Sequence, residues 1–217
     1  MDFDDTPEEA EFRAGARAFL EQNAQRRAPG SGLVYRAGNE DPEFRRHAKE
    51  WQAKKADAGY AGITWPSEWG GRGGTAIEQV IYDQEEGKYA VPRGLFDIGL
   101  GMCIPTLCTW GTQAHRDRYA RKALRGEEVW CQLFSEPAAG SDLAGLRTRA
   151  ERDGDEWVIN GSKMYITNSV QADWLCLLAR TSDEGGYRGM SQIVVPTNTP
   201  GFEVSKKPRG TRYFASS

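Results

Sequence analysis

The chain has 217 residues, with 28 lysines and arginines against 31 aspartates and glutamates and a formal net charge of −3. That length holds one large domain or two small ones, and arginines scattered among acids, without basic blocks, argue against nucleic acid as a partner. No apolar run approaches the ~20 residues that span a bilayer, and the acidic start Met1-Asp2-Phe3-Asp4-Asp5 is the opposite of a signal peptide's basic flank, so the expected location is cytoplasmic. Cys103, Cys108, Cys131 and Cys176 match neither a zinc nor a redox spacing and sit in apolar surroundings, which reads as reduced core residues. With His47 and His115 as the two histidines, both read as helix-surface residues, and no metal site is expected.

The first helix is signalled by Thr6-Pro7-Glu8-Glu9, a cap, a proline at the first helical position and a glutamate placed to close a capping box. Phe12, Ala16, Phe19 and Leu20 then form one apolar stripe that ends before Ala28-Pro29-Gly30-Ser31-Gly32. Asp41-Pro42-Glu43 repeats the start signal for a second helix, with Phe44, Ala48 and Trp51 at helical spacing and a stop at Gly59. The run from Gly59 to Gly74 is rich in glycine and tryptophan. It lacks both the Gly-Lys-Ser/Thr of a phosphate loop and a dinucleotide fingerprint, so it reads as an irregular connector packed by Trp65 and Trp69.

A third helix is predicted from Thr75 to about Lys88, ended by Ala90-Val91-Pro92. Leu95 to Leu107 is apolar and rich in small residues, with Pro105 inside it, and predicts a buried helix with a break. Thr112 to Leu124 makes a further helix with a basic face. Near residue 128 the helical periods give way to strand runs, which predicts a helical domain over 1–128 and a β-domain over 129–217. Val129 to Phe134 suits a buried strand that stops at Pro137, and a loop, Ser135 to Asp142, follows with two hydroxyls and Gly140. Asp153-Gly154 and Asn160-Gly161 are hairpin signals around Glu156-Trp157-Val158-Ile159 and before Ser162 to Asn168. Trp174 to Ala179, Ser191 to Val195 and Phe202-Glu203-Val204 complete what reads as an antiparallel meander. On residues alone, composition favours an ordinary hairpin set in which Ser135 and Ser141 make local turn hydrogen bonds.

The string FSEPAAGSD at Phe134 to Asp142, followed by INGSKMYITN at Ile159 to Asn168, resembles the paired signature of the flavin-dependent acyl-CoA dehydrogenases. The segment from Gly59 to Gly74 is similar to that family's "GxxGxxxPxxxGG" connector. The resemblance implies an N-terminal all-α domain followed by an antiparallel β-barrel domain, FAD as cofactor, and desaturation of an acyl-CoA thioester. It implies that Gln132, Leu133, Phe134, Ser135, Gly140 and Ser141 border the isoalloxazine ring, with Ser141 also facing the CoA arm of the substrate. Tyr165, Ile166 and Thr167 lie against the flavin; many members have tryptophan where Tyr165 stands, so a narrower stacking surface is expected. In the resemblance neither Glu136 nor Asp142 is the base, and Asp142 fixes its loop through turn hydrogen bonds. The small side chains of Leu95 to Leu107 either line an acyl tunnel or are simply core.

Family members continue past the β-domain with a four-helix bundle carrying the catalytic glutamate, so no catalytic residue is assigned here. The chain is expected to be inactive alone. It is also expected to self-associate through helix faces carrying Phe12, Phe19, Phe44 and Trp51, which the bundle would cover. The partners implied are an acyl-CoA, an electron-transferring flavoprotein and further copies or a second chain in a homo- or hetero-oligomer. An acyl-CoA oxidase or flavin monooxygenase of the same fold, and a non-catalytic flavin- or acyl-CoA-binding subunit, remain as alternatives.

Overall fold

The computed structural model describes residues 4–28, 30 and 40–204. Parts of three sequence readings lie outside them: the first three residues of the acidic start, Pro29, Ser31 and Gly32 of the predicted break, and residues 205–217 of the predicted β-domain.

Local chemistry sets the helix starts. In α1 (Pro7–Asn23) the Thr6 hydroxyl accepts from the Glu9 N–H while the Glu9 carboxylate accepts from the Thr6 N–H at 2.8 Å. α2 (Pro42–Asp57) starts on Asp41, whose carboxylate accepts from Glu43 N–H, and the chain leaves it through Gly59 at φ +75°. α3 (Ala76–Glu86) repeats the capping box with Thr75 and Glu78. The predicted break in the fourth segment is a π-helical turn over Gly99–Cys103 that runs into α4 (Ile104–Trp110), with Pro105, which has no N–H to give to the preceding turn, directly after it. α5 (Gln113–Leu124) follows a cap on Thr112. The glycine-rich connector is irregular apart from one short 3-10 turn, with Trp65 buried and its ring edge-on to Trp69.

The helices cover their own apolar faces, which corrects the expectation that these await a missing partner. Phe12 packs with Ile63, Ile81 and Tyr82; Phe44 with Leu95, Phe96 and Val129; Trp51 with Leu20 and Tyr89. Phe19 is half-buried, its ring against those of Trp51 and Tyr60. Large apolar side chains are instead exposed on other elements: Ile77 and Val80 on α3, Met102 in the π-turn, and Trp110 at the end of α4.

Five strands form one sheet: β1 (Trp130–Leu133), β2 (Arg149–Asp153), β3 (Glu156–Asn160), β4 (Trp174–Arg180) and β5 (Met190–Pro196). The middle part is thus β-sheet, but the sheet is mixed rather than an antiparallel meander. β2–β3 and β4–β5 pair antiparallel, whereas β1 lies parallel along Trp174 to Leu177 of β4 and β2 touches β4 in parallel at Arg180. β4 is the central strand, with Leu175, Cys176, Leu177 and Ala179 buried. Two predicted strands are not formed among the described residues: Ser162 to Asn168 is irregular, because Tyr165 and Asn168 take positive φ and no ladder can run through them, and Phe202 to Val204 is coil.

Helices and sheet share a core in which Cys103, Ile104, Leu107 and Leu124 meet Trp130 of β1 and Cys176 of β4. All four cysteines are buried and free, and burial pushes the Cys108 and Cys131 thiols up to about 11 and about 12, keeping them protonated. His47 and His115 lie exposed on α2 and α5.

Candidate functional site

Strand alternation decides what β1 offers to the site. Cys131 and Leu133 point into the sheet core, so Gln132 and Phe134 point to the other face, where the helical part begins. There Gln132, Phe134 and Ser135 line a cavity of about 120 Å³ together with Ile98, which precedes the π-turn, and with Tyr165, Ile166 and Thr167. The two stretches of the paired signature therefore face one another across one cavity, and the helical segment supplies a third wall.

The polar side chains of this cavity have unspent hydrogen-bonding capacity. Gln132, Ser135 and Thr167 make no side-chain hydrogen bond among the described residues, although each carries donor and acceptor atoms. Phe134, Ile98 and Ile166 give apolar walls. Tyr165 adopts φ +58°, and its ring is 71% exposed at the cavity's edge. An aromatic residue in the left-handed region is strained, by about 1–3 kcal/mol, and stays there only if its neighbours hold it.

Those neighbours are held on both sides. The main-chain N–H of Met164 donates to the Ser135 carbonyl at 2.9 Å, and the Lys163 ammonium donates to the Phe134 carbonyl at 3.0 Å and to Glu136 Oε1 at 2.8 Å. The Glu136 carboxylate is buried and also accepts from the N–H groups of Arg147 at 2.6 Å and Thr148 at 2.9 Å. Burial opposes ionisation of Glu136, yet the bonds from Lys163, Thr148 and Arg147 outweigh it and hold the carboxyl down at about 2. Burial lowers the Lys163 ammonium, with Glu136 pulling the other way. On the far side Asn168, at φ +67°, donates from Nδ2 to the Leu95 carbonyl at 3.0 Å and accepts from Gln171 Nε2 at 3.0 Å.

Not every residue assigned from the sequence reaches the cavity. Leu133 belongs to the sheet core. Gly140 and Ser141 are exposed in the loop beyond it and do not line it. Asp142 contributes only its carbonyl, which accepts from Gly145 N–H at 3.1 Å; its side chain makes no cap bond, and Glu136 is the carboxylate that fixes the loop. Glu136 and Lys163 stand 27 positions apart, so their pairing carries no local spacing signal; the first signature string holds two acids, Glu136 and Asp142, and the second a single base, Lys163, so the strings alone do not say which acid pairs with it.

The helical part and the sheet match two family models in succession: "Acyl-CoA dehydrogenase, N-terminal domain" over residues 6–127 and "Acyl-CoA dehydrogenase, middle domain" over residues 131–215. The chain belongs to the acyl-CoA dehydrogenase family. A curated relative, acyl-CoA dehydrogenase IpdE1 of Mycobacterium tuberculosis, is 35% identical over 196 residues, covering 89% of this chain and 50% of the relative. Among solved structures, the ChsE4–ChsE5 complex of Mycobacterium tuberculosis superposes with a TM-score of 0.70 at 30% identity, over 91% of this chain and 49% of the matched one. The Tcur3481–Tcur3483 steroid ACAD gives a TM-score of 0.70 at 31% identity, over 93% and 50%. The chain spans about half the length of these relatives.

Members of this acyl-CoA dehydrogenase family bind FAD, and the residues present fit that group in kind. Three polar side chains without partners converge from two segments, flanked by flat apolar walls and an exposed aromatic ring, which is the donor set a flavin's polar edge and planar face require.

Proposed function

We propose that this chain is the flavin- and acyl-CoA-binding part of an FAD-dependent acyl-CoA dehydrogenase, which desaturates an acyl-CoA thioester between its α- and β-carbons. The observation that carries this reading is the convergence of unpartnered Gln132, Ser135 and Thr167 with Phe134, Ile166 and Tyr165 on one cavity. Desaturation removes an α-proton and a β-hydride; no side chain accepts hydride, and FAD supplies that acceptor when bound. The hydroxyls of Ser135 and Thr167, the amide of Gln132 and the ring of Tyr165 would hold it. Ile98 and Phe134 keep water from the reacting end, and the π-turn after Ile98 borders the acyl chain. Ser141, exposed beyond the cavity, contacts the CoA arm. In this reading residues 1–128 act as the helical domain and 129–217 as the cofactor-binding domain.

Proton abstraction needs a carboxylate within hydrogen-bond reach of the α-carbon. The residues lining the cavity carry no carboxylate, and Glu136 is committed to Lys163. That observation favours a second reading beside the first, in which this chain binds FAD and acyl-CoA while another polypeptide segment or partner chain supplies the base. The similar ChsE4–ChsE5 complex supports a hetero-oligomeric partner, and the similar steroid ACAD supports a bulky polycyclic acyl group. An electron-transferring flavoprotein is the expected electron acceptor. Four free, buried thiols suit a reducing cytoplasmic setting.

The test is an anaerobic titration of the intact protein, expressed from its complete reading frame, with acyl-CoA thioesters of increasing bulk. Bound flavin absorbing near about 450 nm, and bleaching by one class of thioester, is the expected result. Bound flavin without bleaching selects the non-catalytic reading. Peroxide formed in air at the rate of turnover selects an oxidase or monooxygenase. Absence of flavin overturns the proposal.

A further inference from the structure

The Glu136–Lys163 pair is an ion pair withdrawn from water beside the cavity. Both side chains are almost fully withdrawn from water, at 4% and 6% exposure, and replacing a buried ion pair by packed apolar groups is often neutral or stabilising. What the pair joins is specific. Lys163 reaches across to Phe134 and Glu136, and Met164 reaches Ser135, so three bonds lie within one or two residues of the cavity-lining Phe134, Ser135 and Tyr165. Glu136 in turn is tied to the start of β2 through Arg147 and Thr148. At the other end Asn168 ties the same segment to Leu95, three residues before Ile98. Between these two fixed points the chain passes through Tyr165 in the left-handed region.

We infer that the Glu136–Lys163 pair is a latch that positions the two walls of the cavity against one flat ligand and holds Tyr165 in its strained conformation. The inference rests on the reading of the cavity as the flavin site. Glu136 and Lys163 are positioning residues: they act through Phe134, Ser135 and Tyr165, and neither lines the cavity. Opening the latch frees the Tyr165 segment to relax to negative φ, and the two walls then no longer address a single ring. Flavin affinity and the asymmetry of the flavin's surroundings therefore fall together, beyond what loss of stability alone would cause.

The experiment uses the intact protein, with FAD as the probe and three readouts: the FAD dissociation constant by fluorescence quenching, the visible circular dichroism of bound flavin, and the Tm of the apoprotein. Lys163→Met is expected to raise the dissociation constant about tenfold or more and to change the dichroism, and Lys163→Arg to recover part of both. Glu85→Gln disrupts another buried ion pair, with Arg13 and Arg17 in the helical part. It is expected to lower Tm while leaving FAD affinity and dichroism as in wild type. Should Lys163→Met not fold, Glu136→Gln removes the charge and leaves one oxygen to accept, so one of the Arg147 and Thr148 N–H groups loses its partner, and it is expected to weaken FAD about threefold or more. A latch variant with lowered Tm but wild-type FAD affinity and dichroism would overturn the inference while leaving the flavin reading intact. A wild-type protein that binds no FAD removes both.

Discussion

At the residue scale, Thr167 and Ser141 separate the two ligands. The Thr167 side chain lines the cavity and has no partner among the described residues, so Thr167→Ala is expected to weaken FAD by about 1 kcal/mol, roughly fivefold, and Thr167→Ser to restore most of it. Fluorescence quenching titrations check this; equal affinities for all three proteins would remove Thr167 from the site. Ser141 lies outside the cavity, so Ser141→Ala should leave FAD affinity unchanged and raise the acyl-CoA dissociation constant. Parallel titrations with FAD and with an acyl-CoA measure the split, and a shared loss would place Ser141 at the flavin instead. Phe134, Ser135 and Tyr165 to Thr167 could be picked out as a group because each sits in one of two contiguous strings, and Gln132 because it closely precedes the first. What the strings do not reveal is which of their members turn inward. Leu133 goes to the sheet core by strand alternation, and Gly140 and Ser141 lie past the tight Glu136–Ala139 turn that carries the loop away from the cavity.

At the element scale, Gly154 and Gly161 are both hairpin glycines in the sequence but do different work. Gly154 holds φ +60° with open space where a Cβ would point, so Gly154→Ala costs only the backbone strain, about 1 kcal/mol. Gly161 lies against Thr148, whose Cα would stand 2.7 Å from an added Cβ, and Thr148 also donates its N–H to Glu136. Gly161→Ala should therefore cost more, about 1–3 kcal/mol, and weaken FAD as well. Urea unfolding of the two variants, with FAD titrations beside it, decides this; the reverse order of stability would mean that β3 can shift without disturbing the latch. The helices were legible from sequence because their signals are local, as in the Thr6 and Glu9 cap. The second hairpin was not, because the positive φ of Tyr165 and Asn168 is imposed by bonds to Phe134, Ser135, Glu136 and Leu95, far away along the chain.

At the scale of the whole molecule, buried carboxylates tie distant segments together, Glu136 and Glu85 among them. Glu136 joins the two signature stretches, and Glu85 on α3 accepts from Arg13 and Arg17 of α1 at 3.0 Å each and from Lys88 at 2.7 Å. Burial opposes the charge on each, but the hydrogen bonds from the cations, and for Glu136 from the main chain, hold both carboxyls at about 2 against an ordinary 4.5. A carboxyl depressed on folding stabilises the protein above its unfolded pKa and loses that contribution as pH falls through its folded value. Stability should thus be level in this respect above about pH 5 and fall between about pH 4.5 and 2, by at most roughly 3 kcal/mol for each group. Denaturant unfolding across that window, for wild type and for Glu85→Gln, checks the sign. The variant should show a shallower slope, and an unchanged slope would remove Glu85 from the account.

The sheet illustrates the limit of reading such a molecule from its sequence. Four of the five strands were recognisable by composition, whereas the charged β2 was not, and the parallel pairing of β1 with β4, 44 residues apart in register, leaves no turn signal between them. The account as a whole depends on where FAD binds, and hydrogen–deuterium exchange of the intact protein with and without FAD measures that most directly. The expected result is protection by FAD of peptides covering Gln132 to Ser135 and Lys163 to Asn168, with the exposed β2–β3 turn at Asp153 and Gly154 unchanged. Bound FAD that leaves those two segments exchanging as in the free protein, and protects others, would contradict it.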